Sequence, residues 1–128
     1  MATSPNFITR DIHWVAGLIE GEGCFSIRKG NYDSGSKQGI KYREYPYIAV
    51  GSTDKDVIEK AHRILGGDFV NVKRKTVTGK SVYSVQLRGK RAIEWMLTLY
   101  SSMGNRRKER IKGILDKWKA SPFKVGLA

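Results

Sequence analysis

Cysteine occurs once, as Cys24, so no disulfide can form within the chain, and a reducing compartment suits it. Acids are also scarce: 12 Asp and Glu stand against 24 Lys and Arg, a net charge of +12. An excess of that size favours a polyanionic partner over a plain solvated surface. No apolar run approaches the roughly 18 residues that span a bilayer, so no membrane partner is expected. Met1 to Pro5 carries no charged leader followed by an apolar core. Secretion is therefore not expected, and an intracellular setting is (cytoplasm, nucleoid or organelle matrix). His13 and His62 have no ligand partners at metal spacing and read as structural, and Cys24 has no histidine arrangement that would make it a nucleophile. No internal repeat and no small-molecule cofactor motif is present. At 128 residues the chain reads as a single domain, residues 1–128, with extended tails at 1–10 and 121–128. A domain of this size buries about two thirds of its unfolded surface.

What is present is concentrated in one stretch, Trp14-Val15-Ala16-Gly17-Leu18-Ile19-Glu20-Gly21-Glu22-Gly23-Cys24-Phe25-Ser26-Ile27. It begins as an apolar helix, capped by Thr9 or Asp11 and running to about Glu20. It ends as an alternating strand. Glu20 and Glu22 stand at the helix C-terminus, where the helix dipole disfavours acids by about 0.3–1 kcal/mol unless a cation offsets them. Gly17 and Gly21 lie four residues apart, and each glycine costs about 1 kcal/mol in a helix interior. Close approach of a second helix along that bare stripe is the simplest compensation. A second copy would bring two acidic ends together, which calls for a divalent cation. Ile12, Val15, Ala16, Leu18 and Ile19 give this helix two apolar faces, one for its own sheet and one for an interface. Gly21 and Gly23 are expected to let the chain leave the helix sharply.

The remaining pattern predicts an α+β fold of order αββαββα, a four-stranded antiparallel saddle sheet with helices on one face. Strand one is expected over 24–29, with Phe25 and Ile27 inward, followed by a Gly/Ser-rich loop over 30–39. Strand two is expected over 40–51, with Ile48 and Val50 inward. Thr53 and Asp56 form a capping-box pattern opening a helix with Val57, Ile58, Ala61, Ile64 and Leu65, stopped by Gly66-Gly67. Strand three is expected over 68–76 with Val70 and Val72 inward. Thr78-Gly79 makes a hairpin turn to strand four, 81–88, with Tyr83, Val85 and Leu87 inward. Helix three, 90–101, offers Ile93, Met96, Leu97 and Tyr100, and helix four, 105–120, offers Ile111, Ile114, Leu115 and Trp118.

The cations fall on the sheet face away from the core. Seven Lys/Arg and no acid lie between Phe69 and Ile93. A ribbon of strands carrying such side chains fits the DNA major groove, where Arg and Lys read guanine and Gln reads adenine. Candidate DNA-binding residues are Ser26, Arg28, Arg43, Tyr45, Tyr47, Asn71, Lys73, Lys75, Ser84, Gln86 and Arg88, with Lys37 and Lys41 on flanking phosphates. Tyr45 and Tyr47 have an alternative role as covers for neighbouring side chains. Arg106, Arg107, Lys108 and Arg110 form a second basic cluster, at a helix start whose dipole they oppose, which points to an anionic partner.

Val15 to Gly23 resembles the signature of the LAGLIDADG homing endonucleases. Ala16, Gly17, Leu18, Ile19 and Gly23 match as identities, Val15 stands for Leu, Glu20 and Glu22 for Asp, and Gly21 for Ala. The resemblance implies a single-motif, homodimeric enzyme whose interface holds Ala16, Gly17, Glu20 and Gly21. It implies that Glu22 is catalytic and, with the Gly21 carbonyl, ligates Mg²⁺ or Mn²⁺, with Glu20 a helper or structural acid. In that family a basic residue near the start of the last helix stabilises the anionic transition state. By apolar register Arg107 matches that position first and Arg106 second. The family often carries a longer polar residue near Ser52 to orient water. The implied activity is metal-dependent hydrolysis of double-stranded DNA across the minor groove of a long pseudo-palindromic site, leaving short 3′ overhangs, as intron-borne enzymes of this kind do. Two other readings stay open on the same scaffold, a cleavage-inactive DNA-binding regulator and an intron RNA maturase. A ribosomal-type RNA-binding protein would share the composition without needing the acidic helix end.

Overall fold

Val15, Ala16 and Ile19 recur at the spacing that places side chains on one side of a helix, and all three are buried. They anchor the first of four α-helices in a computed structural model that describes residues 9–33, 40–73 and 81–120. The expected tails, the Thr78-Gly79 turn, Lys37 and Lys75 lie wholly or mostly outside the described residues, as do the side chains of Lys41, Arg43 and Lys73. The elements are α1 (Thr9–Glu22), β1 (Gly23–Asp33), β2 (Ile40–Ser52), α2 (Lys55–Leu65), β3 (Asp68–Lys73), β4 (Ser81–Arg88), α3 (Lys90–Leu99) and α4 (Asn105–Ala120), with a 3-10 turn at Tyr100–Ser102. The strands form one antiparallel sheet in the order β1-β2-β4-β3. Two hairpins thus meet with β2 and β4 at the centre.

One face of the sheet holds Phe25, Ile48, Val50, Val85 and Leu87, which join buried residues of all four helices in a single core. Ile19, fully buried within it, contributes about 1.5–3 kcal/mol of burial, and truncating such a side chain to Ala costs about 2–5 kcal/mol. The first hairpin is longer than its composition implies. Residues 30–33, expected to open a loop, pair with Ile40 to Arg43, because ladder hydrogen bonds compensate for weak local strand preference.

Three other expectations are corrected. The Thr53–Asp56 capping box does not form; Asp54 is the N-cap without a side-chain bond, and its N–H donates instead to Ser52 Oγ at 3.0 Å. Helix three turns a different stripe inward: Ala92, Ile93, Trp95, Met96 and Leu99 are buried, whereas Leu97 and Tyr100 are 60% and 37% exposed. The Trp95 indole N–H fixes that rotation by donating to the Leu65 carbonyl at 3.1 Å. Tyr100 opens the 3-10 turn, with Lys108 Nζ 5.7 Å from its ring centre.

The third correction concerns β3. Phe69 pairs with Val85 and Asn71 with Tyr83, and paired residues share a face. Phe69 packs on the core with Tyr83 and meets the edge of His62. Val70, expected inward, therefore shares the open face with Ser84. The aromatic Phe69 displaced valine because its larger apolar area is worth more against the helices. Gly66 and Gly67 do end α2, at φ of 75° and 78°, a region that side chains rarely adopt. His62, with Nε2 3.0 Å from the Gly67 carbonyl, is structural as expected.

Candidate functional site

The α1–β1 joint is built without a loop: Glu22 ends the helix and Gly23 opens the strand. The chain leaves the helix sharply, as expected, but neither Gly21 nor Gly23 has positive φ, so no left-handed residue makes the turn. Gly23 is needed for closeness instead, since a Cβ there would stand 2.8 Å from the Ile19 carbonyl oxygen and 2.7 Å from its Cγ2. The helix end thereby lies directly against its own strand.

The offsetting cation arrives from α4. Arg107 Nε donates to the Glu20 carbonyl at 3.1 Å and stands 3.3 Å from Glu20 Oε2, while Nη1 donates to the Gly23 carbonyl at 2.8 Å. The Gly104 N–H donates to Glu20 Oε1 at 3.2 Å, and Arg110 Nε donates to the Phe25 carbonyl at 3.1 Å. The Glu20 carbonyl, which lacks a partner inside the helix, is thus satisfied by a guanidinium group, as are the Gly23 and Phe25 carbonyls at the start of β1. Glu20 is a structural acid facing its own chain. Glu22 differs: it is exposed and has no ion-pair or hydrogen-bond partner among the described residues.

The open face of the sheet gathers most of the expected binding residues. Ser26 pairs with Tyr47 and Arg28 with Tyr45 on β1–β2; Tyr47 pairs with Arg88 and Gln86 with Ala49 on β2–β4. The register sets Arg43 opposite Gly30 and Lys41 opposite Tyr32, on the same alternation. Tyr47 is only 5% exposed, with Arg28 and Arg88 guanidinium carbons 4.5 and 5.7 Å from its ring centre. It acts as the platform that holds two cations, the covering alternative, whereas Tyr45 stays partly exposed. Arg88 Nη2 donates to Gln86 Oε1 at 2.8 Å, which occupies the amide oxygen and not the amide N–H groups. Ser84 is buried, and Ser26 Oγ is buried without a partner among the described residues.

Asn71 is corrected out of this set. Its pairing with Tyr83 puts it on the helix side, and the register places Lys73 opposite Ser81 on the same alternation. The residues missed in their place are Asp68, opposite Gln86, and Arg91, which line one groove with Gly67, Gln86 and Arg88. The sequence signal is Phe69: an aromatic ring turned inward at that position turns Asp68 outward.

Residues 15–114 match the LAGLIDADG endonuclease family. The chain belongs to that family.

Solved LAGLIDADG structures carry the same fold. The homing endonuclease I-TnaI aligns with a TM-score of 0.57 at 20% identity over 82% of this chain and 69% of its own. The intron-encoded I-CeuI, complexed with DNA, aligns with a TM-score of 0.59 at 13% identity over 89% of this chain and 56% of its own. I-LtrWI, bound to target DNA, gives 0.55 at 22% identity over 97% and 41%. No curated protein matches the chain.

The LAGLIDADG helix divides its surface sharply. Ala16, expected at an interface, is buried in the core of its own domain because it lies between Val15 and Ile19 on the sheet-facing side. Gly17 and Gly21 are exposed, with nothing within 4 Å of an added Cβ. They share an exposed stripe with Arg10 and His13. No three His, Cys, Asp or Glu side chains among the described residues could hold a metal together. The donors at the joint, the Glu22 carboxylate and the Gly21 carbonyl, are all oxygen and suit a hard cation, but one copy alone supplies too few of them. No helix among the described residues is long and apolar enough to cross a membrane.

Proposed function

We propose that this LAGLIDADG protein is a site-specific double-strand DNA endonuclease that works as a homodimer with Mg²⁺ or Mn²⁺. The observation carrying this reading is Glu22, an exposed carboxylate without a partner among the described residues, between a bare glycine stripe and a basic sheet face. Two copies packed on Gly17 and Gly21 would bring two such joints together and complete the donor set that one lacks. Glu22 and the Gly21 carbonyl would hold the cation, which supplies Lewis-acid charge to the scissile phosphodiester. Arg28, Arg43, Tyr45, Gln86 and Arg88 would read base edges, and Lys37 and Lys41 would contact phosphates. Arg106, exposed and next in sequence to Arg107, is the basic residue proposed to approach the phosphate.

The test is cleavage of a complex duplex library with and without Mg²⁺, sequencing the new ends, with Glu22→Gln alongside. Metal-dependent ends at one pseudo-palindromic site, lost in the variant, support the reading. Enrichment of one duplex without cutting would identify a regulator or maturase instead.

A further inference from the structure

We infer that Arg107 is a positioning residue: it clamps the two carbonyls that bracket Glu22 and so sets where that carboxylate stands, without contacting the phosphate itself. The inference rests on the nuclease reading above. The Arg107 side chain is only 16% exposed, and its planar fork presents donors in fixed directions. One edge engages Glu20 through both its carbonyl and its carboxylate; the other engages the Gly23 carbonyl. Glu22 lies between these anchors, with Gly21 the one other residue there.

The neighbouring bonds reinforce the same geometry. Gly104 holds the Glu20 carboxylate and Arg110 holds the Phe25 carbonyl, so the start of α4 and the residue before it are fastened to both sides of the joint. A guanidinium with its Nε and one Nη already spent on protein acceptors is poorly placed to follow the charge that develops on a phosphate. Arg106 makes none of these bonds. Groups that orient a metal ligand commonly change metal affinity about 10–100-fold when removed, which gives the clamp a signature of its own.

The test titrates Mn²⁺, followed by the electron paramagnetic resonance of the free ion, into the full chain bound to the duplex recovered from the library. Arg107→Ala should weaken Mn²⁺ binding about 10–100-fold, in the same sense as Glu22→Gln. The salt dependence of duplex affinity should stay unchanged. Arg107→Lys, which can reach one carbonyl but not both, should fall between Arg107→Ala and the parent. Glu20→Gln, which keeps the carbonyl acceptor, should lose less than Arg107→Ala and serves where that variant does not fold. If Arg107 touched a phosphate, its removal would lower the salt slope by about one with Mn²⁺ affinity intact, and that result overturns the inference. A lowered Tm with unchanged Mn²⁺ affinity also overturns it, by reducing Arg107 to a stabilising contact. A parent protein that takes up no Mn²⁺ overturns the nuclease reading and this inference together. Glu22-dependent uptake indifferent to Arg107 and Glu20 overturns the clamp alone.

Discussion

The acidic joint and the basic sheet face solve opposite problems with opposite means. At the joint a few residues are over-determined: Gly23 admits no side chain, and Glu20 is held by Arg107 and Gly104. On the sheet the proposed binding residues are spread over β1, β2 and β4, and among the described residues Arg28 and Arg88 are placed by the Tyr47 ring and Arg88 also by Gln86. Bond cleavage needs atoms placed to within fractions of an ångström. Duplex binding sums many contacts, each of modest worth. The two regions should therefore respond differently to single substitutions.

The largest effect is expected from Glu22→Gln. Cleavage should fall about a thousandfold or more, as when about 4 kcal/mol of transition-state stabilisation is lost. Duplex affinity in a gel-shift titration should change less than about twofold, because the residue neutralises no phosphate. Gly23→Ala comes next: forcing a Cβ against Ile19 should cost about 1–3 kcal/mol of stability, read as a lower urea midpoint. Gly17→Leu should weaken the dimer about 10–100-fold by sedimentation, an overpacking penalty of the same order. The isolated protomer should not be destabilised, since nothing lies near that position and removing a helix-interior glycine gains up to about 1 kcal/mol. A dimer of unchanged affinity would show that the stripe faces solvent.

On the sheet, Arg88→Ala should cost about 1–3 kcal/mol of affinity and relax base preference at one position, read by binding to a randomised duplex pool. Gln86→Ala should cost about 1 kcal/mol, because part of its role is to brace Arg88. Loss of all binding from either single change would break the contrast between a distributed face and a concentrated joint.

Period and punctuation made most of this fold legible. The alternation Phe25, Ile27 and Ile48, Val50, the Gly66-Gly67 stop and the Ile111, Ile114 stripe were readable without coordinates. The failures share a cause. Val70 and Phe69 are both apolar and adjacent, so period alone could not choose between them, and pairing to β4 decided it. Leu97 and Trp95 posed the same ambiguity on α3, resolved by a hydrogen bond to Leu65, thirty residues away. Thr53 and Asp56 satisfied a local capping rule, yet Ser52 supplied the competing acceptor. In the candidate site, Glu22, Gly17 and Gly21 were visible as violations of helix chemistry. The part played by Arg107 was not, because its acceptors are backbone carbonyls, which carry no sequence signature.

By itself the amino-acid order determined the element types, the basic excess and the anomalous acidic end of the first helix, since those depend on neighbours within a few residues. Only the tertiary structure decided which glycine was needed for closeness, which face of β3 looks outward, and which arginine holds the joint. The β3 face and the arginine are settled by contacts between segments distant in sequence, and the glycine by how tightly the strand start folds back on the helix end, and local propensity is blind to such packing.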